Sequence, residues 1–225
     1  LFEMIAHRAS ISARVSKNKE KDNIRKSGKT VLEKPTVVET DEQIKTAEDI
    51  KKMLSTLCEK RIALRSLDSI SKRMSDGSVM LTVNDTDNMN AEIYDFSIIN
   101  PVEKVVKSKK KTTSYYRLHL AALTADPEAN VVMYVHPYNA SILGIELDEV
   151  EVPEEYKDTL GSKISVVSPG VLNSGGMVKN IIYALGSGNT CIVRNRGVLV
   201  KAKSDEEGLR VLQALESMAQ KRYKE

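Results

Sequence analysis

Apolar positions fall on one helical face from Ile44 through Ala47, Ile50, Met53, Leu54 and Leu57. Thr40 lies just ahead with Gln43 three residues on, the spacing of a capping box, so the pattern predicts a helix starting near residue 41. After Gly77 the period shortens to that of a strand. Residues 79–83 and 93–99 are β candidates separated by a polar turn at 84–90. Ser114 is placed to cap a helix carrying Leu118, Ala121, Ala122 and Leu123, which stops before Asp126 and Pro127. Residues 131–135 form a near-continuous apolar strand running into His136, Pro137 and Tyr138. A helix is expected from Ser141, a strand over 164–167 and a helix over 177–185, its start turned by Gly175 and Gly176. Residues 190–193 and 198–201 predict a hairpin around Arg194, Asn195, Arg196 and Gly197. Ser204 and Glu207 repeat the capping-box spacing before a last helix whose buried face is Leu209, Leu212, Leu215, Met218 and Ala219. Strands and helices mix without a strict βαβ rhythm. The class is therefore read as α/β, a mostly antiparallel sheet layered by helices.

Composition adds limits to this picture. A chain of 225 residues with 41% hydrophobic and 29% charged residues is that of a globular protein with a real core. No apolar run reaches the length of a membrane-spanning helix. Two cysteines, Cys58 and Cys191, exclude a disulfide framework or a Cys-rich zinc module, so a reducing compartment, the cytoplasm, is expected. The net charge of +3 hides an asymmetry: residues 1–35 hold nine basic and four acidic groups, and the rest of the chain holds 25 and 27. The division expected is a basic N-terminal arm and linker over 1–39 and one domain over 40–225. Residues 1–15 read as a moderately amphipathic helix and carry Arg and Ser. They read either as an arm docking on a sister subunit or acidic protein partner, or as the remnant of an organelle-targeting segment, against which Glu3 argues. The nearly neutral body makes a nucleic-acid-binding role the weakest reading. Lys107, Lys109, Lys110 and Lys111 read as a solvated loop more readily than as a phosphate site.

The order of pieces from Ser114 onward resembles the class II aldolase/adducin family. The residues carrying the resemblance are the 118–123 helix leading into the histidine-bearing strand 126–136, the strand and helix over 165–185, and the closing hairpin and last helix from Ile192 through Glu216. The resemblance implies that fold, oligomers that are often tetramers, and in the family's aldolases a divalent metal, usually zinc, held by three histidines with an acidic residue as base. This chain departs at nearly every such position. The family's His-x-His strand end reads Tyr134-Val135-His136, the third histidine is replaced by Arg196, and the acid is replaced by Tyr115 behind Thr113 and Ser114. The family's phosphate-holding Gly-Asn falls loosely on Asp68 and Ser69.

A catalytic zinc needs about three protein donors. A guanidinium has no lone pair to give, and a phenol ligates only as phenolate. Neither metal nor cofactor is expected, and the first functional expectation is a catalytically degenerate binding or assembly subunit. The alternative is a lyase or isomerase acting on a small phosphorylated or carboxylated compound. In it His136 would serve as acid/base, Tyr134 or Tyr115 as proton donor and Arg196 as anion clamp, with Thr113, Ser114 and Asn139 as further ligand contacts. Each residue keeps a plainer reading. His136 fits a hydrogen-bonded structural histidine, His119 a satisfied core residue, and Arg196 a filler of the former metal space paired with Glu216.

Overall fold

The computed structural model describes residues 38–63, 68–102, 105–171, 174–186 and 188–223; the expected arm, apart from residues 38 and 39, lies outside them. Helix α1 (Asp41–Glu59) starts at a complete capping box. Gln43 N–H donates to the Thr40 hydroxyl, and the Gln43 carboxamide accepts from Thr40 N–H. Its face from Ala47 to Leu57 is buried as the spacing requires, but Ile44 is exposed. Strands β1 (Ser69–Arg73), β2 (Val79–Thr82), β3 (Phe96–Asn100) and β4 (Val105–Ser108) follow as an antiparallel meander. Residues 93–95, expected as strand, form a 3-10 turn that feeds β3. Lys107 lies on strand β4 rather than in a loop, and Lys110 is ion-paired with Asp95.

Next come α2 (Tyr116–Ala125), β5 (Val131–Val135), α3 (Tyr138–Glu146) and β6 (Glu149–Glu151). The chain closes with α4 (Lys157–Leu160), β7 (Lys163–Val167), α5 (Gly175–Leu185), β8 (Thr190–Val193), β9 (Gly197–Ala202) and α6 (Asp205–Arg222). Ser114 does not cap α2. Tyr115 holds that position without a side-chain bond, and the Ser114 N–H donates to the Asn84 side-chain oxygen. Helix α3 starts three residues earlier than expected, at Tyr138. Ser204 caps α6 by accepting from Glu207 N–H, but the Glu207 carboxylate reaches back to Lys203 N–H, so the second box is incomplete.

One nine-stranded sheet runs β4-β3-β2-β1-β5-β9-β8-β7-β6, antiparallel throughout except for the β7–β8 pair. Alternation along β5 sends Val131, Met133 and Val135 to one face and Val132 and Tyr134 to the other. The first face packs against α1, α3 and α6. The second packs against α2 and α5. With both faces covered, a central strand must be apolar at every position, which is why 131–135 is uninterrupted. Among the described residues, no helix is long and apolar enough to cross a membrane.

Candidate functional site

Register brings the candidates together. Ser69 pairs with Tyr134 and Val135 with Val198, so the start of β1, the end of β5 and the start of β9 meet at one sheet end. Asp68, His136 and Gly197 are the residues at that junction. Gly197 has φ +113°, and a Cβ there would sit 2.4 Å from the Val135 carbonyl and 3.1 Å from the His136 ring. Glycine is what lets the hairpin lie against the strand end.

Asp68 is buried, and one of its oxygens accepts from both His136 N–H at 2.9 Å and His136 Nδ1 at 3.1 Å. Its other oxygen accepts from Asn88 Nδ2 at 3.0 Å. Burial raises the Asp68 carboxyl above the usual carboxylate value, and the bonds from His136 and Asn88 pull the other way. A carboxylate can only accept, so Nδ1 carries the proton and Nε2 is left as the imidazole's other polar atom. On sequence alone Asp68 aligns only loosely with the family's phosphate-holding Gly-Asn. Only the β1–β5 register, in a strand the pattern did not announce, reveals it as the partner of His136.

Two residues back on the same face, the Tyr134 ring lies 5.6 Å from His136 and 4.5 Å from Tyr115. The Tyr134 side chain is wholly buried, and its hydroxyl has no hydrogen-bond partner among the described residues. Burial pushes its ionisation well above the ordinary phenol value, with the fields of Tyr115 and Cys191 adding to the shift and that of Arg196 opposing it. Tyr115 is also raised by burial and opposed by Arg196. Arg196 is therefore within electrostatic reach of both phenols. It is exposed and makes no hydrogen bond or ion pair through its side chain among the described residues.

The expected Arg196–Glu216 pair is absent. Both Glu216 oxygens are engaged at the start of α3, one accepting from Asn139 N–H and Nδ2 at 3.0 and 2.8 Å, the other from Ala140 N–H at 3.0 Å. That helix end has no side-chain cap of its own, so Glu216 supplies the missing acceptors. Asn139 borders a groove with Lys60, Arg61, Gln213 and Ser217. Thr113 is buried and Ser114 exposed, and both border a surface groove with Val106, Lys111 and Arg117. His119 is a core residue, as its plainer reading holds. Its Nε2 and Nδ1 each lie 2.8 Å from a hydroxyl, those of Ser69 and Ser71.

The family's metal does not fit these residues. One imidazole nitrogen is committed to Asp68, the phenols are held neutral, and the field of a permanent cation reaches both of them. Among the described residues no three His, Cys, Asp or Glu side chains cluster as metal ligands.

Comparisons with known proteins agree on the architecture. The class II aldolase and adducin N-terminal domain matches residues 48–223. No curated protein matches the chain by sequence. Among solved structures, YgbL from Escherichia coli superposes with TM-score 0.73 at 18% identity, covering 82% of this chain and 90% of its own. An L-fuculose 1-phosphate aldolase gives 0.75 at 13%, covering 85% and 92%. The L-fuculose-1-phosphate aldolase from Thermus thermophilus gives 0.71 at 15%, covering 80% and 94%. At such identities these likenesses speak for the fold alone. With the domain match spanning nearly all of the nine-stranded sheet and its helices, the chain belongs to the class II aldolase/adducin family.

Proposed function

We propose that this protein uses the class II aldolase fold for binding or assembly and does not carry out zinc-dependent aldol cleavage. The observation that supports this reading is the donor set at the sheet end. Tyr134 and Tyr115 are phenols held neutral, His136 is tied to Asp68, and the Arg196 guanidinium projects its charge onto both phenols. A dication placed there would meet one available imidazole nitrogen and a like charge. The test is elemental analysis of the full chain purified without chelators, followed by incubation with zinc and L-fuculose 1-phosphate. Far less than one metal per chain and no cleavage are expected; stoichiometric zinc, or cleavage above background, would overturn the reading.

Self-association into a homo-oligomer, an acidic protein partner for the basic N-terminal arm, and a cytoplasmic setting complete this proposal. They rest on the family resemblance, on the charge asymmetry of residues 1–35 and on the two-cysteine composition.

A second reading, a lyase or isomerase acting on a small phosphorylated or carboxylated compound, draws support from one specific observation. A buried carboxylate fixing an imidazole through Nδ1 is how a general base is held. Turnover that survives chelation and is lost in His136→Ala and Arg196→Ala alike would favour it over a purely binding role.

A further inference from the structure

The corner where α3, the outer strand β6 and the end of α6 meet holds a cavity of about 270 Å³. Three side chains of the core lie at its base: Leu143 from α3, Val150 from β6 and Met218 from α6. Alternation along β6 turns Val150 inward and leaves Glu149 and Glu151 outward. Pro153 follows and opens the 3-10 turn Glu154–Tyr156, which brings Tyr156 to the cavity wall. The rim is charged in both senses, with Glu151 and Glu155 from the β6 side and Lys221 and Arg222 from the last turn of α6. These charges are only loosely matched among themselves. Lys221 pairs with Glu155 at 2.7 Å, but both side chains are more than half exposed, and solvent screens such a pair. Glu151 shares Lys163 with Glu149, so one cation serves two carboxylates, at 3.0 and 2.7 Å. Arg222 makes no hydrogen bond or ion pair through its side chain among the described residues.

We propose that this cavity is a binding site for a free α-amino acid with an apolar side chain. The ligand's carboxylate pairs with Arg222 and its ammonium group with Glu151, while its side chain lies over Val150 and Met218 against the Tyr156 wall. The ligand class follows from charge and volume. A plain anion meets two carboxylates at the rim and a plain amine meets two cations, and each like-charge contact offsets part of the gain. An uncharged molecule leaves the rim unanswered. A zwitterion presents each sign to its complement, and its side chain displaces water from the apolar base. The volume lies just below that of ordinary cofactor sites, which suits a single amino acid rather than a nucleotide. Met218, unbranched and adaptable, lets the base accept side chains of different shape. In the sheet order β6 is the fourth strand from β5, roughly 19 Å away at ordinary strand spacing. The site is therefore separate from the His136 sheet end and does not depend on whether that end holds a metal.

The experiment uses the full chain with isotope-labelled methionine methyl groups, followed by NMR and titrated with L-leucine. Met218→Leu, a substitution that keeps volume, identifies the Met218 signal by its loss. L-leucine is expected to shift that signal saturably, with a dissociation constant of roughly a millimolar or less. Isovalerate, which lacks the ammonium group, and isoamylamine, which lacks the carboxylate, should bind about tenfold more weakly or worse. Glycine, which lacks the side chain, should leave the signal unmoved. Arg222→Gln and Glu151→Gln, both at exposed positions and expected to leave the unfolding midpoint unchanged, should each weaken L-leucine about tenfold. A Met218 signal indifferent to L-leucine would overturn the assignment. So would any of the three control compounds binding as tightly as L-leucine, or undiminished binding in either variant.

Discussion

His119 shows how a single side chain can be polar, fully interior and still without a chemical task. Its imidazole bridges the hydroxyls of Ser69 and Ser71, which lie on the α2-facing side of β1, so three polar groups satisfy one another inside an apolar layer. Burial pushes its pKa down to about 3 from the ordinary 6.5. Well above pH 6.5, from about pH 7.5, neither folded nor unfolded chain protonates it appreciably, and its effect on stability is constant. As pH falls from 6.5 toward 3 the unfolded chain takes up a proton that the folded chain refuses, so stability drops by up to about 1.4 kcal/mol per pH unit. Between pH 6.5 and 5, where few carboxylates titrate, urea unfolding should show a loss of about 1–2 kcal/mol. In His119→Gln that loss should shrink, from a lower starting stability; an equal loss in both would remove His119 as the cause. The serines explain why β1 escaped pattern reading. Ser69 and Ser71 occupy buried positions that the strand template reserves for apolar residues, and only a partner 48 or 50 residues away makes them acceptable.

At the scale of elements, local rules were informative where a helix or strand answers to its own sequence. The Thr40 box, the apolar run of β5 and the hairpin at Gly197 needed no tertiary input to be recognised. The start of α3 is different. With Pro137 ahead of it and no capping side chain of its own, its exposed N–H groups are met by Glu216 from α6, a contact no local window contains. Two glycines separate turn constraint from helix packing. Gly197→Ala puts a Cβ 2.4 Å from a backbone oxygen at φ +113°, and neither can yield, so a loss of about 2 kcal/mol or more is expected. Gly208→Ala meets the flexible end of Met133 at 2.7 Å and Ala202 Cβ at an ordinary 3.5 Å, and gains about 1 kcal/mol of helix propensity, so its net change should stay within about 1 kcal/mol of zero. Denaturant midpoints of the two variants check the contrast, which equal losses would refute.

For the whole molecule, surface exposure bears on assembly. Tyr183 on α5 is 90% exposed and Val171, between β7 and α5, is 76% exposed. Apolar side chains this bare are common singly, but they are also what a subunit interface covers. If self-association uses α5, the mass in solution should be a multiple of 25.0 kDa and should fall in Tyr183→Glu. A 25.0 kDa particle at tens of micromolar, or a mass unmoved by the substitution, would count against that surface. The sequence by itself determined the fold class, the position of most helices and strands, and that Tyr134 and Arg196 stand where the family resemblance leads one to expect histidines. Those properties reside in residue type, periodicity and order along the chain, which folding does not change. Tertiary structure alone decided that Asp68 holds His136, that Glu216 serves α3 rather than Arg196, and that the Tyr134 hydroxyl lies buried without a partner among the described residues. Hydrogen bonds and charge pairs act over a few ångströms. Strand register and helix packing bring residues dozens of positions apart to within that distance.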